Sequence, residues 1–151
     1  MRVMSNTVPA FRKLHPDAVI PNRVYADDIG WDLTSRLDEP LEVPPGSFVD
    51  VPCDLAVQLP RGSWALLIGR SSALRTHGLL VNVGVIDEGY TGPLFAGVFN
   101  ATPKPVFVET GTRLSQLIVI SRHDPVCKIP REVQQFRPTA RGVAAFGSTG
   151  V

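Results

Sequence analysis

The 14 prolines and 13 glycines of this 151-residue chain are spread along its whole length, and they constrain the fold more than any other feature. Proline ends helices and glycine weakens them, so this spacing leaves little room for long helices. Between these residues lie short apolar segments that are rich in Val, Leu, Ile and Phe, at 48–59, 64–69, 78–86, 93–100, 106–109 and 113–120. Many short strands in one chain predict an all-β fold, here a jelly roll.

One short helix is predicted within residues 71–78. Ser71 or Ser72 would cap its start, and Gly78 would end it. The chain shows no internal repeat and no linker, and its length suits a single domain with a substantial core.

Composition excludes several classes of function. The net charge of +1 argues against a broad nucleic-acid surface, and no apolar run approaches the ~18 residues of a membrane span. No signal peptide is apparent, so a cytoplasmic (or nuclear) protein with reduced thiols is expected. The cysteines and histidines lack metal-ligand spacing, which argues against zinc; they are Cys53, Cys127, His15, His77 and His123. A P-loop is absent from the sequence.

The segment GRSSALRTHG at 69–78 joins a predicted strand to the predicted helix. Backbone N–H groups at a helix start, two hydroxyls and a guanidinium suit an anion site, formed by Arg70, Ser71 and Ser72. The alternative is a capped helix with a surface arginine.

The segment GVIDEGYTG at 84–92 places an acid at the end of an apolar strand. Asp87 is a candidate general base for a water, with Tyr90 beside it. The alternative is ordinary turn chemistry, because Asp and Gly are common turn residues.

Two further polar residues stand next to apolar ones. Asp32, between Trp31 and Leu33, needs a partner if it is buried: backbone donors, an arginine or the water shell of a metal. Gln116 precedes the apolar run LIVI; it either faces a cleft and hydrogen-bonds a ligand, or is a plain edge residue.

The chain ends in RGVAAFGSTG at 141–150, which has the period of neither a helix nor a strand. The apolar pattern thins from about residue 137, so we expect a β-barrel domain at 1–136 and a C-terminal arm at 137–151. The arm is either a frayed terminus or a flap that orders over a ligand, with Arg141 as an anion clamp and Phe146 as a stacking ring.

Taken together, the segments resemble the trimeric dUTPase family, whose members carry five short motifs in fixed order. The five matching segments are DIGWDLTSR, GRSSALRTHG, GVIDEGYTG, GTRLSQLI and RGVAAFGSTG, and they span residues 28–150. The resemblance implies a distorted jelly-roll barrel that forms a homotrimer, with each active site shared among three chains. It implies hydrolysis of dUTP to dUMP and pyrophosphate, with Mg²⁺ held mainly by phosphates and waters. Such an enzyme keeps uracil out of DNA and supplies dUMP.

The resemblance also implies residue roles. Asp87 would activate the attacking water, Tyr90 would pack under the deoxyribose, and Asp32 would act on the metal through water. The remaining residues implied to contact the substrate are Arg70, Ser71, Ser72, Gly84, Phe95, Gln116, Arg141, Phe146, Gly147 and Ser148. Among these, Gly84 and Phe95 would lie where the hairpin backbone reads the uracil edge, Arg141 would grip the γ-phosphate, and Phe146 would stack on uracil.

The sequence departs from the family pattern at several positions, none of which removes a catalytic group. Ala144 and Ala145 stand where two glycines are usual, which affects closure of the arm. The other departures are Thr91 where arginine is common, Trp31 where tyrosine is common, and the order Ala73–Leu74 where Leu-Ala is commoner.

Two rival functions follow from the same fold. A dCTP deaminase would need a glutamate where this chain has Gly97, so deamination lacks its proton carrier. A non-catalytic module that binds nucleotide or a protein partner is the other rival, and the joint presence of Asp87, Tyr90, Arg141 and Phe146 argues against it.

Overall fold

The computed structural model describes residues 8–122, 132–135 and 138. These residues form ten short strands and one helix. The strands are β1 Ala10–Lys13, β2 Trp31–Leu33, β3 Leu41–Val43, β4 Phe48–Gln58, β5 Ser63–Gly69, β6 Leu79–Val81, β7 Gly84–Ile86, β8 Pro93–Asn100, β9 Val106–Val108 and β10 Ser115–Ser121, and the helix α1 is Ser71–His77.

The strands form two four-stranded sheets and a two-stranded ribbon. The first sheet has the order β1-β4-β8-β6, the second has the order β2-β10-β5-β7, and β3 pairs with β9. Every pairing is antiparallel. The predicted all-β jelly roll is confirmed, in a distorted form whose sheets do not close into a barrel.

The main core lies between the two sheets. Alternate residues of β4 point inward, and Cys53, Leu55 and Val57 are almost fully buried there. They pack with the inward residues of the second sheet, among them Leu67 and Leu117. This alternation is what a strand with one buried face requires.

A second core lies under the helix and the ribbon. Val51 of β4 and Val98 of β8 contribute from the first sheet, Ala73 from α1, and Val43 and Val108 from the ribbon. Because β4 contributes to both clusters, one long strand connects the two cores.

A register shift interrupts β4 between Pro52 and Ala56. Within it, Asp54 has φ +49°, the one positive φ of a non-glycine residue in the described part of the chain. The Asp54 carbonyl accepts a 2.8 Å hydrogen bond from the Leu14 N–H. The shift lets β4 pair with β8 at its start and with β1 at its end.

The predicted elements agree with the structure except at two places. The segment 78–86 is not one strand: it divides into β6 and β7 at Asn82, whose N–H donates to the Gly97 carbonyl at 2.7 Å. Three short strands, β1 to β3, were not predicted. The helix ends at Gly78 with φ +69° as expected. The predicted boundary at 136/137 lies outside the described residues.

Cys53 is a free thiol in the main core, where burial raises its pKa to about 12. A thiol with so high a pKa is inert at neutral pH. The other cysteine, Cys127, and His123 lie outside the described residues. In the described ranges, no helix has both the length and the apolar character needed to cross a bilayer.

We expect the backbone at Asp54 to limit substitution there. A β-branched residue in the left-handed region costs about 1–3 kcal/mol, whereas asparagine tolerates it. Asp54→Val should therefore lower the free energy of unfolding, measured by urea denaturation, by about 1–2 kcal/mol relative to Asp54→Asn. Gln58→Val, an exposed position of the same strand, is the control and should be nearly neutral. Equal stability of the Asp54→Val and Asp54→Asn proteins would contradict this.

Candidate active site

A cavity of about 290 Å³ lies beside the hairpin that β7 and β8 form with the turn between them. It brings together four predicted residues: Gly84 at the start of β7, Asp87 after its end, Tyr90 in the turn and Phe95 on β8. We call it the hairpin cavity. Its size and its mixture of aromatic, backbone and acidic groups suit a small organic ligand.

The turn of the hairpin fixes Asp87 and Tyr90 relative to each other. The Tyr90 N–H donates to the Asp87 carbonyl at 3.0 Å, which closes a four-residue turn. The Tyr90 hydroxyl donates to the Pro93 carbonyl at 2.8 Å. The segment can therefore be both an ordinary turn and a functional site, because the turn holds the polar groups in place.

The Asp87 carboxylate is exposed and makes no hydrogen bond or ion pair with the described residues. A carboxylate without such a partner at the mouth of a cavity can accept a proton from a bound water. The cavity holds one more acid, Asp50, and among the described residues no lysine or arginine lines it.

A second cavity, of about 640 Å³, contains the other group of predicted residues. Its lining includes Asp32 from β2, Arg70 and Ser71 from the junction of β5 and α1, and Gln116 from β10. We call it the arginine cavity, because Arg113 also lines it.

The electrostatics of the arginine cavity depend on Asp32. Its Oδ1 lies 2.8 Å from Arg70 Nε, and its Oδ2 lies 3.2 Å from Arg113 Nη1. Arg70 Nη1 also donates to the Arg113 carbonyl at 3.3 Å. Of the partners open to Asp32 from its sequence, the structure therefore selects arginine. The two guanidiniums that bind this one carboxylate keep outward N–H groups that suit an anion, although Asp27 and Asp28 also line the cavity.

Arg113 was missed by the sequence analysis. The signal was present, because Arg113 lies three residues before Gln116 in the segment GTRLSQLI. A single arginine after a glycine turn is not diagnostic, and only the fold brings it to the same carboxylate as Arg70.

The start of α1 differs from the prediction. The N-cap residue is Arg70, in an extended conformation, and the helix has no side-chain cap. Neither Ser71 nor Ser72 caps the helix. The Ser71 side chain is exposed and lines the arginine cavity, whereas Ser72 is half-buried outside the lining. The backbone of Arg70 is held instead by its N–H, which donates to the Leu114 carbonyl at 2.9 Å.

Gln116 points into the arginine cavity and is not a plain edge residue. It lies in the middle of its sheet, and its Nε2 donates to the Gly69 carbonyl at 3.4 Å. Gly30 makes this possible, because a Cβ on Gly30 would collide with the Gln116 carboxamide.

The first segment, 28–36, divides between two roles. Asp32 lies in the arginine cavity, but Arg36 contacts Asp38 at 2.7 Å and His15 at 2.9 Å, away from both cavities. Its hydrogen bond with Asp38 raises the pKa of Arg36 and lowers the pKa of Asp38. Arg36 therefore has a structural role.

The two cavities share no lining residue. They lie toward opposite edges of the second sheet, the arginine cavity at β2 and β10 and the hairpin cavity at β7. A row of apolar residues on its outer face connects them: Ile118 lines the arginine cavity, Val85 lines the hairpin cavity, and Leu66 pairs with both. The predicted site residues are thus brought together as two groups. The predicted residues Arg141, Phe146, Gly147 and Ser148 lie outside the described residues.

Three comparisons place the chain among known proteins. A family model described as dUTPase matches residues 17–150. The chain is 36% identical to a tomato (Solanum lycopersicum) protein named deoxyuridine 5'-triphosphate nucleotidohydrolase, over 97% of this chain and 85% of that protein. It is 37% identical to the protein of the same name from Arabidopsis thaliana, over 97% of this chain and 87% of that protein.

Solved structures agree with the fold. The dUTPase of Staphylococcus bacteriophage 80alpha with dUPNHPP has a TM-score of 0.83 and 26% identity, over 95% of this chain and 99% of that chain. A mutant dUTPase of phage phi11 of S. aureus, described with a structural Mg(II) ion, has a TM-score of 0.72 and 24% identity, over 85% of this chain and 98% of that chain.

We expect the arginine cavity to bind inorganic pyrophosphate. A charge-assisted hydrogen bond contributes about 1.5–3 kcal/mol, so Arg70→Ala and Arg113→Ala should each weaken pyrophosphate binding about tenfold or more in calorimetry. Arg61→Ala removes an exposed arginine outside both cavities and should change the affinity by less than about twofold. Unchanged binding in the Arg113→Ala protein would remove Arg113 from the site.

Proposed function

Because this chain belongs to the dUTPase family, we propose that it hydrolyses dUTP to dUMP and pyrophosphate, with Asp87 as its general base. The observation that carries the assignment of Asp87 is its carboxylate, which has no partner among the described residues and lies in the same cavity as Tyr90, Gly84 and Phe95. The product dUMP supplies thymidylate synthesis, and removal of dUTP keeps uracil out of DNA. A cytoplasmic location stays a prediction.

The chemical step follows from the position of Asp87. Its carboxylate accepts a proton from a water as the water oxygen attacks the α-phosphorus. The new bond joins that oxygen to the α-phosphorus, and the bond from the α-phosphorus to the bridging oxygen breaks, so that pyrophosphate leaves. The protein contributes mainly by positioning and by stabilising charge, as in other phosphoryl transfers.

The hairpin cavity would hold the nucleoside. The ring of Tyr90 provides an apolar wall for the deoxyribose, and the backbone at Gly84 and Phe95 provides donors and acceptors for the uracil edge. A backbone pattern can reject the 4-amino group of cytosine, because donor would face donor. The hydrogen bond from Tyr90 to Pro93 keeps the phenol from turning toward the sugar.

The triphosphate needs cations that the hairpin cavity lacks. Arg70 and Arg113, with the hydroxyl of Ser71 and the carboxamide of Gln116, are the group that fits phosphate oxygens. On one chain this group lies across the second sheet from Asp87. We therefore infer a homotrimer in which the hairpin cavity of one copy faces the arginine cavity of another, as the family resemblance implies.

The outer face of the second sheet supports this assembly. Ile118, Leu66 and Val85 form an apolar row that leads from one cavity to the other, and Val85 is 61% exposed. A second copy seated on this row would cover apolar surface and bring the two kinds of cavity together.

The C-terminal arm, residues 137–151, would complete the site. Arg141 would bind the γ-phosphate, Phe146 would stack on uracil, and Gly147 and Ser148 would contact the nucleotide. Closure of such a segment excludes water and orients the triphosphate for in-line attack.

The arginine cavity fits a magnesium ion that is held mainly by phosphates and waters. Acids line the cavity at Asp27, Asp28 and Asp32, yet among the described residues no His, Cys, Asp or Glu side chains form a group able to hold a metal by themselves. Both oxygens of Asp32 already bind guanidiniums, so Asp32 would contact the ion through water. When bound, the ion neutralises phosphate charge.

Deamination of dCTP lacks support at Gly97. A Cβ there would lie 2.6 Å from the Phe48 ring, so a longer side chain at position 97 has no room without movement of Phe48. Position 97 therefore lacks a carboxylate, and a side chain there would have to displace the exposed Phe48 ring.

Asp87→Asn should abolish turnover and leave nucleotide binding largely intact. Loss of a general base costs about 10²–10⁴-fold in rate. The measurement is pyrophosphate release from dUTP, dCTP and dTTP with magnesium and with excess chelator, and affinity for dUPNHPP is measured in parallel. Glu88→Gln changes the neighbouring acid, which does not line the hairpin cavity, and should retain activity. Full activity of the Asp87→Asn protein would exclude Asp87 as the base.

Shared sites are tested by mixing two inactive chains. Asp87→Asn and Arg70→Ala damage different cavities, so a co-refolded mixture should regain activity when one site takes its cavities from two copies. Random assortment leaves about a quarter of the sites with both groups intact. If each site is built within one chain, the mixture stays as inactive as its components.

A further inference from the structure

Gly92 lies against the ring of Tyr90. An ideal Cβ on Gly92 would be 2.6 Å from Tyr90 Oη, 2.7 Å from Cζ and 3.0 Å from Cε2. Ordinary contacts between heavy atoms lie at about 3.5–4.0 Å. The ring therefore occupies the space that any other side chain at position 92 would need.

The same short segment also holds the hydroxyl of the phenol. The Tyr90 hydroxyl donates to the carbonyl of Pro93, the first residue of β8, and Pro93 pairs with Ala56 of β4. The Tyr90 side chain is 41% exposed, so its neighbours cover only part of it. Its position thus depends on Gly92 and on Pro93, and the first sheet anchors Pro93.

The backbone at Gly92 does not itself require glycine. The glycines with positive φ in the described part of the chain are Gly46, Gly62, Gly78 and Gly111. Alanine at position 92 is therefore compatible with the backbone, and its cost comes from the contact with Tyr90 alone.

Tyr90 and Pro93 line the hairpin cavity, whereas Gly92 does not. The tyrosine ring thus separates Gly92 from the ligand space, and a side chain at position 92 would displace the ring toward that space or free it from Pro93. We propose that Gly92 is a positioning residue, which sets the Tyr90 ring at the depth that the sugar of the substrate requires. This inference rests on the proposed function, since it takes Tyr90 as the wall of the sugar subsite.

The test compares two separate variants, each with one glycine of the hairpin turn replaced. Gly92→Ala should lower kcat/KM for dUTP about tenfold or more, mainly through KM, because a displacement of the order of 1 Å at a reacting site costs up to about 10²-fold. Gly89→Ala is the matched control, because a Cβ on Gly89 meets nothing within 4 Å, and it should stay within about twofold of the unaltered chain. Equal kinetics for the two variants would overturn the proposal.

A double-mutant cycle with Tyr90→Ala shows whether Gly92 acts through the ring. When the ring is absent, Gly92→Ala should have less than about a twofold further effect on kcat/KM. If Gly92 instead shapes the turn itself, the tenfold loss persists in the Tyr90→Ala background and the proposal is wrong.

The same measurements separate this inference from the proposed function. If the unaltered chain does not hydrolyse dUTP, the proposed function fails, and the cycle is measured as affinity for dUPNHPP. If the chain hydrolyses dUTP but Gly92→Ala matches Gly89→Ala, only the role of Gly92 fails.

Discussion

The pairing of β4 with β8 is the interaction on which the rest of the structure depends. β4 buries alternate residues in the main core and extends into the second core through Val51. The same strand fixes β8 through a register that begins at Phe48–Phe99 and ends at Ala56–Pro93. Because β8 carries one wall of the hairpin cavity, the position of the site follows from the burial of β4. The left-handed backbone at Asp54 is the local cost of letting one strand serve both neighbours.

In the arginine cavity one carboxylate holds two guanidiniums in a fixed orientation. Two guanidiniums that faced only each other would repel, and Asp32 removes that repulsion by binding both. The arginine side chains remain partly exposed, at 29% for Arg70 and 48% for Arg113, so solvent screens these pairs and each contributes modestly to stability. A phosphate group offers stronger, bidentate partners and can take over the outward N–H groups while Asp32 keeps the guanidiniums oriented. Asp32 thus orients both guanidiniums, and its proposed contact with a metal ion is through water.

The sequence was informative where the local pattern alone determines the structure. Gly78 ends the helix because the left-handed region favours glycine, and the long apolar segments at β4, β5 and β8 became strands. The predictions from sequence failed where contacts between residues distant in the chain determine the structure. The short strands β1 to β3 hold three or four residues each, too few to show a period, and they form only because a partner strand lies beside them. Ser71 and Ser72 do not cap α1, because Arg70 is already held by the Leu114 carbonyl and by Asp32. The site residues of the hairpin came together as expected, since they are close in sequence, whereas the pairing of Arg70 with Arg113 joins segments 43 residues apart.

The hairpin turn holds the proposed base and the proposed sugar wall in one short piece of backbone. The 3.0 Å hydrogen bond from the Tyr90 N–H to the Asp87 carbonyl fixes the acid relative to the tyrosine, and the phenol hydroxyl fixes the tyrosine relative to β8. In the proposed function Asp87 meets a water at the α-phosphorus and Tyr90 meets the sugar, so the two side chains need a constant separation because both would contact one substrate. A turn of four residues supplies that separation with few degrees of freedom, which reduces the entropy lost on binding. Among the described residues the lining of the hairpin cavity contains no lysine or arginine, so the proposed binding of a triphosphate needs counter-charges from another surface.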